Sequence, residues 1–161
     1  MKLIQYSLLL LLYFACGTIK AQTYNTTLGV RLDKWMGVTV QQNVFSSNIT
    51  LEAIAQTNFN DSYLVTGLLE QHHNLLGKRL NYYYGIGPHM LWEPRTPTGK
   101  GISFVIGAEI TLLGLNVSWD WKPVYNIVGG SKQLMHGTAL SIRKVILKRN
   151  KRNRGWPFGK R

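Results

Sequence analysis

The chain has a single cysteine, Cys16, and it lies within the N-terminal apolar segment. A chain beginning after that segment has no disulfide and no thiol chemistry. Acidic residues are also scarce, seven against 19 Lys and Arg, for a formal net charge of +12. The imbalance is local. From Gln22 to Arg143 there are nine basic and seven acidic residues, whereas from Lys144 onward there are eight basic residues and no acid. The basicity therefore belongs to a tail, and no nucleic-acid partner is read from it. Beyond the N-terminal segment no run approaches 18 apolar residues, which excludes a helical membrane protein. The four histidines show no Cys or paired-His spacing for a metal, and Gly85-x-Gly87 has no helix after it to make a nucleotide loop. No cofactor and no metal are expected.

What is present begins with an export layout. Met1-Lys2 is positive, Ser7 to Ala15 is apolar, and Ile19-Lys20-Ala21 ends in a small residue before Gln22. This reads as a signal peptide over 1–21, cleaved after Ala21. Ala15-Cys16 resembles the end of a lipobox, although Tyr13 and Phe14 suit that motif poorly. The remaining 140 or so residues suffice for one domain.

Between Ile102 and Tyr125 the chain alternates with a period of two. Ile102, Phe104, Ile106, Ala108, Ile110 and Leu112 share a face opposite Ser103, Val105, Gly107, Glu109 and Thr111. After Leu113-Gly114, the residues Leu115, Val117, Trp119, Trp121, Pro123 and Tyr125 oppose Asn116, Ser118, Asp120 and Lys122. Such alternation marks strands. It recurs near Thr26–Asp33, Gly37–Phe45, Ile49–Thr57, Tyr63–His73, Leu80–Trp92 and Thr138–Ile146, which makes eight strands. In the fourth, Leu64 and Leu68 share a side with Thr66, Glu70 and His72, which blurs the pattern. The two longest connections, Glu93–Gly101 and Asn126–Gly137, fall on one end, as the outer loops of an up-and-down barrel would.

The apolar face carries large aromatics, and the other face is rich in Gly, Ala, Ser and Thr with few charges. Small residues suit the crowded interior of a small barrel, so the apolar face is assigned to lipid. Ten steps from Tyr82 to Trp92 at about 3.3 Å, tilted about 45°, rise roughly 23 Å, close to the height of a lipid-facing band. Tyr82, Tyr84, Trp92, Trp119, Trp121 and Tyr125 are read as its aromatic girdle. Arg31, Glu52, Glu70, Glu109, Asp120, Lys122 and Arg143 then form an interior charge network, expected to pair across a filled lumen without an open pore. A gated water path is the alternative use of that network. The reading is all-β: an eight-stranded antiparallel up-and-down transmembrane β-barrel over 22–147, expected to be monomeric.

The segments Gly37-Val38-Thr39-Val40, Thr66–His72, Leu80–Gly85, Ile106–Glu109, Leu115–Pro123 and Ala139–Arg143, with the Ala21-Gln22 junction, carry a resemblance. Over roughly 22–146 the chain resembles the small outer-membrane β-barrel proteins of the Bacteroidota, similar in architecture to the outer-membrane protein X group. The resemblance implies an outer-membrane barrel surrounded by lipid, with no catalytic residue and no cofactor to carry over. Such chains end on an aromatic residue at strand eight, whereas here Lys144-Val145-Ile146-Leu147 is followed by a basic tail over 148–161. In that tail Lys148, Arg149, Lys151, Arg152, Arg154 and Trp156 could meet anionic headgroups or cell-wall polymer.

Two other functions compete. A lipid A-type hydrolase would need a nucleophile, a base and an orienting group. His72-His73 beside Glu70, His136 with Ser141, and His89 near Glu93 are the candidates. A soluble periplasmic lipid-binding barrel would need the faces reversed.

Overall fold

The computed structural model describes residues 24–44, 48–76 and 80–148. The signal segment, Phe45 and the tail beyond Lys148 lie outside the described residues. So do the proposed tail contacts of Arg149, Lys151, Arg152, Arg154 and Trp156.

Ten strand segments are described: β1 (Tyr24–Leu32), β2 (Met36–Asn43), β3 (Ile49–Thr57), β4 (Tyr63–Leu76), β5 (Leu80–Trp92), β6 (Gly99–Leu112), β7 (Leu115–Trp121), β8 (Val124–Val128), β9 (Leu134–Met135) and β10 (Thr138–Lys148). Sequence neighbours pair antiparallel from β1 to β6, and β10 pairs with both β7 and β1, so the sheet closes on itself. Closure pairs the wall strands on both sides, and β9, at the mouth, pairs with β8 alone among the described residues.

Ten segments make eight walls. Ile106 faces Trp121 and Ser103 faces Val124, one register running across Lys122-Pro123. Pro123 has no amide to donate and interrupts the ladder, but Phe104 N still donates to Pro123 O at 2.9 Å. On the other side β9 and β10 are likewise one wall, since Lys122 N donates to Gly137 O at 3.0 Å. The seventh sequence-derived strand, ending at Tyr125, thus continues to Val128 with a break in it. The connection read as Glu93–Gly101 shrinks to 93–98, because Gly99 already pairs with Leu91. That read as Asn126–Gly137 shrinks to 129–133 and the two-residue gap before β10, because β8 and β9 form a hairpin. The barrel also includes Lys148, which the sequence reading gave to the tail.

Alternation places the two faces as side chains demand. Leu28, Val30, Val38, Leu51, Leu69, Ile86, Phe104, Ile106, Trp119 and Ile142 are exposed on the outer surface. The outward polar residues Gln42, Gln71 and Lys144 stand toward the end that carries Tyr24 and Lys148, and Lys100 and Thr138 toward the other. A water-facing protein rarely exposes so continuous an apolar surface.

Glycine allows two close approaches. Pro88 cannot donate to β4, and at this gap a Cβ on Gly87 would lie 1.8 Å from Gly67 O. A Cβ on Gly107 would meet the Tyr83 ring at 2.9 Å, so Gly107 is the space that ring occupies. The β6–β7 turn is two residues long, Leu113 at φ 51° and Gly114 at φ 85°, the primed geometry that suits the twist of a hairpin.

Candidate functional site

The inward face fills the barrel. Two apolar groups and a polar network share the lumen. Ile54, Leu68, Tyr83 and Val105 form one buried cluster, and Leu64, Leu91 and Val124 form another, with Trp35 and Met135 packed against it. Leu64 and Leu68 thus belong to the interior with Thr66 and Glu70. Strand four blurred in the sequence because its inner face is itself part apolar.

Around these clusters lie the charges. The Arg31 guanidinium pairs with Asp120, and its Nη1 also donates to Ser141 Oγ at 3.2 Å. Asp120 accepts as well from the Tyr83 hydroxyl at 2.8 Å. Arg143 pairs with Glu52 and donates to Ser118 Oγ at 2.7 Å and Asn116 Oδ1 at 3.2 Å. Thr39 donates its hydroxyl to Glu52. His72 stands between two carboxylates: Nε2 is 3.1 Å from Glu70 Oε2 and Nδ1 is 3.2 Å from Glu109 Oε1. Its ring stacks on Tyr83 with centroids 5.0 Å apart. Asn81 and Asn116 donate to Glu109 at 3.0 and 2.9 Å. Lys122 is in no ion pair among the described residues; its Nζ donates to Gln56 Oε1 at 2.6 Å. Bidentate and branched bonding of this kind offsets part of the cost of burying these charges.

Six aromatics read as a girdle point outward. Tyr82 and Trp92 stand near opposite ends of β5. Tyr125 lies toward the β8 end of its wall, whereas Trp121 stands about midway along it, at the end of β7. Tyr82 and Tyr84 both stack on His73, centroids 5.1 and 5.7 Å away, and the Tyr84 hydroxyl donates to Gln71 Oε1 at 3.0 Å. This outward aromatic-polar patch is typical of a membrane interface.

The hydrolase candidates separate. His89 does not meet Glu93, which instead accepts from Ser131 N and Oγ, both at 2.8 Å. His89 Nε2 lies 2.8 Å from Asn126 Oδ1, and Ser103 Oγ lies 3.1 Å from Nδ1. The order hydroxyl, imidazole, amide is that of a hydrolytic relay. Asn126 Oδ1 can only accept, which places the imidazole proton on Nε2 and leaves Nδ1 to take the Ser103 proton. Ser103 is, however, fully covered. A substrate carbonyl has no approach to it in this conformation. His72 has no hydroxyl partner among the described residues, and His136 is exposed while Ser141 is buried inside and accepts from Arg31. Strand parity already put His89 and Ser103 on the same inner face; it could not show that Asn126 completes the set.

A cleft of about 360 Å³ opens at the end of the barrel opposite Tyr24 and Lys148. Asp33, Lys34, Trp35, Gln56, Lys122 and the segment Ser131–Gly137 contribute to its walls. On the outer wall a shallow apolar groove, bordered by Leu69, Tyr84, Phe104, Trp121 and Pro123, lies over Gly85.

No protein-family model matches the chain, and no curated protein is significantly similar to it. Among solved structures it is similar to the N-terminal β-barrel domain of Pseudomonas aeruginosa OprF, at 11% identity and a TM-score of 0.53, over 76% of this chain and 98% of that one. At that identity the likeness is one of fold: a closed eight-stranded antiparallel barrel.

Proposed function

We propose that this protein is an outer-membrane β-barrel with a filled lumen that serves a structural or surface-interaction role and conducts no solute. One observation carries the reading: the continuous apolar surface points outward while Arg31, Glu52, Glu70, Glu109, Asp120 and Arg143 are buried inside. In water that arrangement would be inverted; in a bilayer it is the stable one. Eight strands leave a lumen just wide enough for side chains, and these side chains pair within it. The fold shared with the OprF N-terminal barrel and the export layout of residues 1–21 support the same location, with cleavage after Ala21 as part of the proposal.

Surface contact would fall to the end opposite Tyr24 and Lys148, where the cleft and the loops 93–98 and 129–133 lie. The basic tail, from Arg149 to Arg154 with Trp156, would meet anionic headgroups or cell-wall polymer on the other side. Gel mobility with and without boiling, beside cell fractionation, tests the reading. A heat-shifted band in the outer-membrane fraction is expected. A soluble, unshifted band would mean that the apolar face is covered by something other than lipid.

The Ser103–His89–Asn126 arrangement favours a lipid-modifying hydrolase as the second reading, and the cover over Ser103 weighs against it.

A further inference from the structure

We infer that the cleft at the barrel mouth is a binding site for a small amphipathic anion, with one carboxylate-like head seated on Lys122 and an apolar body laid against Trp35.

Lys122 is the starting point. It is 4% exposed, yet it lines the cleft and enters no ion pair among the described residues. An ammonium has three protons to donate, and here one goes to Gln56 Oε1 at 2.6 Å. A buried cation with unused donors is costly unless an anion completes it.

The nearby carboxylates do not complete it. Asp33 meets Lys122 through Gln56, whose Nε2 donates to Asp33 Oδ2 at 2.9 Å, and the other Asp33 oxygen accepts from Trp35 N. Glu93 spends both oxygens on Ser131. The two acids of the cleft are therefore capped by protein donors, while Lys34 and Lys132 add positive charge at the exposed rim. The uncompensated chemistry of the cavity is cationic.

Beside this charge the wall is apolar. Trp35 and Met135 pack on Leu64, Leu91 and Val124, which gives a firm surface for a flat or aliphatic body. The volume, about 360 Å³, is that of a small-molecule site. The rim carries Lys34, Ser131, Lys132 and His136, with Leu134 as its exposed apolar member, so the cleft is open to a ligand arriving from water.

The test uses the full chain folded in detergent and three isosteric probes: phenylacetate, 2-phenylethanol and 2-phenylethylamine. Each is titrated while the indole N–H signal of Trp35 is followed by NMR, assigned with Trp35→Phe. Phenylacetate is expected to shift that signal saturably and to bind at least tenfold more tightly than the alcohol, with the amine weakest. Lys122→Met should abolish the preference, and Lys100→Met, on the outer face, should preserve it. Equal affinities, a preference for the amine, or no saturable shift would overturn the inference. If Lys122→Met does not fold, the ranking of the three probes on the unaltered chain still decides. The inference depends on the proposed location only for the side of the membrane that the cleft faces. Heat-shifted mobility reports on the barrel and the titration on the cleft, so each can fail separately.

Discussion

Arg143 of β10 reaches across the barrel interior to the carboxylate of Glu52 on β3, a residue 91 positions away in the chain. The two strands are not neighbours; β1 and β2 lie between them. The pair therefore ties opposite parts of the wall through the lumen, and both side chains are completely buried.

Removing one member leaves the other as an uncompensated buried charge. Arg143→Met should cost about 3–5 kcal/mol of stability. Adding Glu52→Gln to it should cost less than the sum of the two single changes. Urea unfolding in liposomes, followed by tryptophan fluorescence, measures all three. Simple additivity would show that the pair does not act across the lumen.

The sense of the wall is tested at Phe104, exposed and near the middle of β6. Phe104→Arg should destabilise the barrel in a bilayer by about 2–4 kcal/mol, the cost of a cation near the midplane. The same change at a rim position such as Lys100, already cationic, is without consequence by construction. A neutral Phe104→Arg would place this face in water.

How much of this was legible follows from what alternation encodes. Parity assigns each residue a side, so Phe104 and Ile106 fall outside and Glu109 and Asp120 inside. It does not encode which inward side chains meet. Arg31 finds Asp120 across 89 positions and Lys122 finds Gln56 across 66, because closure and stagger of the barrel bring them level. Parity also fails where the interior is itself apolar, as at Leu64 and Leu68. The break at Pro123 was hidden for another reason. Proline keeps its place in the alternation while losing its amide, so the period runs on through a gap in the ladder.

The β6–β7 turn offers a gain. Leu113 has φ 51° and its side chain is entirely in solvent, so it carries the strain of a left-handed backbone without any packing in return. Asn tolerates that conformation and is favoured before Gly in such turns. Leu113→Asn should stabilise the barrel by about 1 kcal/mol and raise the urea midpoint without altering the slope. An unchanged or lowered midpoint would mean that Leu113 is covered in the membrane.

The last prediction concerns Ser103. Its hydroxyl faces His89 Nδ1 at 3.1 Å, and His89 is held by Asn126 at 2.8 Å, so the pieces of a relay are in order. A working nucleophile must also reach a carbonyl, and Ser103 is fully covered inside the barrel. The relay is then a set of satisfied hydrogen bonds, and its loss should register as stability and not as chemistry. Ser103→Ala should cost about 1 kcal/mol, the net value of one hydrogen bond, and leave the lipid A species of the host unchanged by mass spectrometry. A changed acylation pattern with the barrel still folded would show that the cover over Ser103 opens, and would make the hydrolase the leading function.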